Sequence, residues 1–377
     1  MTLEVVDVEK NSVVWRDSLT AAADDLIGLR REVSARLNQG LLPALGAGQA
    51  PVEGATRPSN PEAYDLYLRS FAISRDPAPN KDGIRMLERS IGLDANFAPS
   101  WSVLAQRYYY DGSYSDGGAA AIVRARRGYE RALALDPNFT TPAVFLAVLR
   151  VEGGDLTTAF DEAKRILARR PDSGEAHYLM GYVFRYAGLL DEAGRECDAA
   201  LARDPKNYRW RSCSFGYMLK GDYGRAMDYV GLDAGSEWAA NASVAILARQ
   251  GRAAEAREVA RRENPDQLDR FVMACLNDPR SSETVSLSRQ LEQRLLADID
   301  SEPKYYFGSL NAHCGDRDAG LRLLKKAVEQ NYCSWPAMER DPFLASVRGT
   351  PEFEKIRRAG MECQKRFIAH RDAAKTR

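Results

Sequence analysis

Histidine is scarce, with three residues in a chain of 377. Histidine is the side chain most often recruited for metal binding and for proton transfer near neutral pH. His177, His313 and His370 therefore leave little material for either chemistry. Net charge is also missing. Lysine plus arginine total 53 and aspartate plus glutamate total 53, so the basic excess that holds a protein on a nucleic-acid backbone is absent. No run of about 18 apolar residues occurs, so no bilayer-spanning helix is expected. The first residues, MTLEVVDVEKNSVVW, lack the basic start of a signal peptide. No GxSxG, HExxH or paired-carboxylate motif stands out, which argues against catalysis. No catalytic residue, metal site or cofactor is expected.

Cysteine is present but unpatterned. Cys197, Cys213, Cys275, Cys314, Cys333 and Cys363 form no CxxC pair. In a chain of this length they read as small buried hydrophobes rather than a disulfide framework. Reduced thiols suit a cytoplasmic setting, with the periplasmic part of a membrane receptor as the alternative. Arginine outnumbers lysine, 42 to 11. Equal numbers of acids make this a solvated surface and not an anion-binding one. The segment DGSYSDGG (Asp111 to Gly118) offers oxygens at Asp111, Ser113 and Ser115. It lacks the Gly and Glu of a calcium loop, which here are Asp116 and Ile122. It also lacks the Gly-Lys-Ser/Thr of a phosphate loop. It reads as a flexible insertion.

What the chain does contain is a repeat. In Glu175 to Pro205, His177, Met180, Gly181 and Phe184 fall three and four residues apart on one helix. Gly188 then breaks the chain, and Ala193, Cys197 and Ala200 continue on a second helix. The same code recurs in Ala143, Leu146, Ala147, Gly154, Ala159, Ala163 and Pro171. It recurs again in Trp101, Leu104, Ala105, Tyr108, Ala125, Tyr129, Ala132 and Pro137. The closing prolines repeat every 34 residues or so. The small residues let two helices of a hairpin approach, and proline ends each unit.

This pattern resembles the tetratricopeptide repeat (TPR), whose period is 34 residues. The expected fold is mostly all-α: an α-solenoid of about seven TPR-like helical hairpins over 61–340. Capping helices are expected over 341–377. Residues 46–60, rich in Gly, Pro, Ala and Ser, read as a linker. Residues 1–45 read as a β-hairpin and a helix, the remnant of an α/β domain. The segments DVEKNSVVWRDSL, NPEAYDLYLRS and DPFLASVRGTPEFEKI are similar to the TPR sensor regions of bacterial receptors. Such receptors are linked to adenylate cyclases, kinases or winged-helix regulators. No kinase or cyclase signature accompanies them here.

The resemblance implies a concave face lined by the first helix of each hairpin. Applied to the units at Trp101, His177 and Trp210, it assigns Gln106, Tyr109, Tyr110, Tyr178, Tyr182, Arg185, Tyr186, Arg211 and Phe215. Applied to Ala143 it gives Val144, Val148, Val151 and Glu152. Aromatics and arginine suit a peptide or protein with apolar anchors and a carboxylate. The alternative is that a tight superhelix, or the amino-terminal helix of the same chain, buries these side chains. The implied function is a non-catalytic protein-binding module, the sensor or scaffold part of a signalling protein. A homodimer joined through the hairpin is the other reading, because open strand edges pair readily.

Overall fold

A computed structural model describes residues 2–20, 22, 25–45, 56–261 and 267–374. The chain divides into two compact units, Met1–Ala143 and Val144–Arg377.

The first unit opens with strands β1 (Thr2–Asp7) and β2 (Ser12–Ser18), paired antiparallel with a bulge after Val5. Asp7 Oδ1 accepts the N–H groups of Glu9 and Lys10 in the turn. Helix α1 (Leu26–Arg36) runs on through a π turn at Leu37–Leu41 into α2 (Leu42–Ala44). Gly40 sits against Trp15 so closely that an added Cβ would lie 2.7 Å from the indole nitrogen. Of the expected linker, 46–55 lie outside the described residues, and 56–60 lead into the next helix without regular structure. Asn60 caps that helix by accepting the Ala63 N–H, with Pro61 at the first helical position.

Two hairpins follow, α3 (Pro61–Ser70) with α4 (Pro77–Leu93), and α5 (Ala98–Tyr114) with α6 (Gly118–Leu135). The small-residue code has the expected cause, since a Cβ on Gly128 would lie 2.8 Å from the Ala105 methyl. The expected flexible insertion is not one. Asp111 to Tyr114 form the last turn of α5, and Gly118 starts α6. The buried Asp111 carboxylate pairs with Lys81 and, at 3.7 Å, with Arg124. That anchors the turn as ordered helix.

In the second unit helices alternate in the same manner. They are α7 (Thr140–Glu152, entering from the first unit), α8 (Leu156–Arg169), α9 (Gly174–Tyr186) and α10 (Leu190–Arg203). A 3₁₀ turn at Tyr208–Ser212 leads to α11 (Cys213–Lys220), then α12 (Tyr223–Val230), α13 (Glu237–Arg249) and α14 (Ala253–Ala260). The remainder are α15 (Gln267–Asn277), α16 (Ser282–Ala297), α17 (Glu302–His313), α18 (Arg317–Glu329), α19 (Trp335–Arg340) and α20 (Pro351–Ala373). The fold is thus a TPR-like α-solenoid with a small amino-terminal sheet. Gly181 marks the register. A Cβ there would meet Ala193 O at 3.2 Å and Glu196 Cβ at 3.3 Å on the partner helix.

The second unit closes on itself. Cys333 N–H donates to Tyr186 O at 2.7 Å, and Asn331 Nδ2 to Gly154 O at 2.9 Å. Gln364 Nε2 donates to Gly188 O at 2.9 Å. The Phe367 ring meets Phe160 edge-on at 5.6 Å, and His370 Nε2 lies 3.1 Å from Asp161. These contacts return α20 to α8 and α9.

The cysteines overturn the expectation of free thiols. They pair in chain order, Cys197–Cys213, Cys275–Cys314 and Cys333–Cys363, with Cα separations of 6.0, 5.5 and 5.2 Å. Those separations fall within the range that a disulfide spans. Each bridge joins elements of different hairpins, so no short spacing in the sequence announces it. No helix among the described residues is long and apolar enough to cross a membrane.

Candidate functional site

Helix α9 positions four of the expected residues. A helix brings positions four apart onto one face, so Tyr178, Tyr182 and Tyr186 form a column, with Arg185 beside it. Ser173 caps the helix by accepting the Ala176 N–H. Adjacent rings of the column stand 5.8 and 5.1 Å apart. The Arg185 guanidinium lies over the Tyr182 ring, 4.4 Å from its centre.

This face is covered by the chain itself. Arg185 Nε and Nη2 donate to the two carboxylate oxygens of Glu302 on α17, each at 2.9 Å. Arg185 Nη1 donates to Ser212 O at 2.6 Å. Tyr332 OH donates to Glu302 Oε1 at 3.3 Å, and its ring meets Tyr186 edge-on. The fork matches a carboxylate in the bidentate geometry that makes arginine selective for that group. Arg185 is 2% and Glu302 5% exposed. Neither charge has water to fall back on, and each depends on the other.

A second polar run adjoins the first. Tyr182 OH donates to Glu152 at 2.9 Å and lies 3.2 Å from Tyr186 OH, which is 2.8 Å from Asp300 Oδ1. Asp300 Oδ1 also accepts the Glu302 N–H at 2.9 Å. Burial, then the nearby carboxylates of Glu152 and Glu302, hold the Asp300 carboxyl well above the usual carboxylate range. Burial likewise raises Glu302, against the opposing pull of Arg185.

The remaining expected residues fall as follows. Arg211 is buried, pairs with Asp233 and lies over the Trp238 ring at 4.6 Å. Phe215 is half-buried between Trp238 and Tyr306, with ring centres 5.5 and 4.9 Å away. In the first unit, Gln106, Tyr109 and Tyr110 are buried on α5, and the two tyrosine rings group with Tyr114. His177 bonds Glu196 at 2.6 Å and Pro171 O at 3.2 Å, which fixes it as a hairpin contact. Sequence reasoning missed Asp300, Glu302, Tyr305, Tyr306 and Tyr332. They lie more than a hundred residues beyond α9, at positions that the repeat code does not mark as lining.

A second internal pair lies deeper along the solenoid. Arg249 Nη2 is 3.1 Å from Asp341 and 2.8 Å from Ser309 Oγ, and its guanidinium lies 4.4 Å from the Phe343 ring centre. Asp341 also caps the turn at Phe343. This pair fastens the segment after α19 to α13 and α17.

No protein-family model matches the sequence, and no curated protein matches it. Among solved structures, PilW, a widely conserved type IV pilus biogenesis factor, is similar over 61% of this chain and 99% of its own. The identity is 16% and the TM-score 0.36. MamA 41-end from Desulfovibrio magneticus RS-1 is similar over 44% of this chain and 88% of its own, with 16% identity and a TM-score of 0.30.

Proposed function

We propose that this chain is a non-catalytic protein-binding module, the sensor or scaffold part of a bacterial regulatory protein, and that the inner face of its first helices is the recognition surface. One observation carries the reading. The α9 face already holds a ligand-like group from its own chain, the Glu302 carboxylate clamped by Arg185 and flanked by Tyr306 and Tyr332. A peptide that competes for this face has the same chemistry, a carboxylate between aromatic anchors. Gln106, Tyr109 and Tyr110 on α5 are the corresponding candidate residues of the first unit in this reading. The output domain it serves is of the kinase, cyclase or winged-helix kind.

A peptide array probed with the full chain tests the reading. Peptides carrying Glu followed by aromatics, such as DSEPKYYF, should be retained, and their Glu→Gln counterparts should not. Equal retention of both, or of neither, overturns it.

We further propose an oxidising compartment such as the periplasm. The support is that all six cysteines are paired, an arrangement that a cytosolic thiol pool does not maintain. Disulfide mapping of the protein isolated from its native cells tests this, and free thiols there would refute it.

A homodimer through the hairpin is the second reading. It is favoured by the two-stranded sheet, whose outer edges have no further strand among the described residues, and by exposed Val6, Val8, Val13 and Val14. Light scattering that stays monomeric at all concentrations would refute it.

A further inference from the structure

The polar run from Glu152 through Tyr182 and Tyr186 to Asp300 has three contacts, at 2.9, 3.2 and 2.8 Å. Each is within hydrogen-bond distance. The two phenols hold two protons, which serve two of the contacts. A third proton, on a carboxyl group at one end, makes all three hydrogen bonds at once.

Asp300 is the end suited to hold it. Asp300 as a residue is half-buried, whereas Glu152 at the other end is 2% exposed, so water lies nearer the Asp300 end. Facing it are Tyr186 from α9, Glu152 from α7 beyond the phenols, and Glu302 at the start of α17 with its partner Arg185. Asp298 precedes it at the end of α16. The Lys304 ammonium donates to the backbone carbonyls of Asp298 and Asp300, both at 2.7 Å. Among the described residues, no cation contacts the Asp300 carboxylate.

We propose that this run is a proton-held clasp. One proton at the Asp300 end closes the start of α17 onto α9, and its release to water loosens that contact. The clasp goes beyond the binding reading, because it is a property of the chain alone. It supplies a means by which the covered face could open. The raised affinity of Asp300 for its proton fixes the sign. The closed state binds a proton that the open state gives up. Closure is therefore strongest at acid pH and weakens as pH rises from the ordinary carboxylate range to the value at which closed Asp300 ionises. For one proton the opening constant grows by up to about tenfold per pH unit in that window.

The test is hydrogen exchange of the full chain with no peptide present, so its outcome is independent of whether any partner binds. Protection of the first turns of α17, corrected for the intrinsic pH dependence of exchange, should fall by up to about tenfold per pH unit above about pH 5. In Asp300→Asn, whose amide offers an N–H donor and a carbonyl acceptor in place of the protonated carboxyl but cannot ionise, the profile should be flat. Equal slopes in both proteins overturn the clasp. Should the variant not fold, infrared spectroscopy of the wild-type chain decides. A neutral carboxylic-acid band that persists above the ordinary carboxylate range and vanishes on unfolding supports the clasp, and its absence overturns it.

Discussion

Removing the Cys333–Cys363 bridge, by replacing both residues with Ala, isolates the device that closes the second unit. The cysteines are 30 residues apart. Loop-closure entropy for a chain of that length corresponds to about 3.6 kcal/mol of stability, acting through the unfolded state. The native contacts around the bridge do not depend on the sulfurs. The Cys333 N–H bond to Tyr186 O, the Asn331 bond to Gly154 and the Gln364 bond to Gly188 all survive the substitution. The variant should keep its helix content and lose stability. Urea denaturation followed by circular dichroism, with and without a dithiol reductant, measures this. The wild-type chain under oxidising conditions should exceed the variant by about 3–4 kcal/mol. Prior reduction should lower the wild type further, because two more bridges open. A loss well below 1 kcal/mol, with the bridge shown intact in the wild type, would refute the role given to it.

Gly181→Leu should destabilise the chain by roughly 1–3 kcal/mol, read from the denaturation midpoint, because Ala193 and Glu196 already lie within contact of a Cβ there. Gly40→Leu should release the hairpin from the π turn, since the Trp15 indole occupies the space, and Trp15 fluorescence should shift towards its exposed value. Arg211→Ala should cost about 1–3 kcal/mol by leaving the Asp233 carboxylate without its guanidinium partner.

The repeat was legible because its cause is local. Gly181 against Ala193, and Ala105 against Gly128, are contacts between the two helices of one hairpin. Such contacts recur at the repeat period, so a pattern of small residues reports them. The amino-terminal hairpin was legible for the same reason, through alternation on both sides of a polar turn. That Tyr178, Tyr182 and Tyr186 share one face of α9 was readable from their spacing. What covers them was not. Glu302 meets Arg185 across 117 positions, and no periodicity links two such distant segments. The cysteine pairs were hidden likewise. Cys275 and Cys314 stand 39 residues apart, and each looks like a small core residue in its own segment. The last turn of α5 was masked by composition. Asp111, Gly112 and Ser113 suggest a loop, and the ion pair of the buried Asp111 carboxylate with Lys81 favours helix over that propensity.

The central claim is that the α9 face is occupied by α17 through Arg185 and Glu302. A double-mutant cycle on these two residues, each replaced by Ala alone and together, measures that contact most directly. Each single change should cost about 3–5 kcal/mol, because it strands a buried charge. The double change should cost little more than either alone, which gives a coupling of several kcal/mol. Additive effects, with a coupling near zero, would contradict the account.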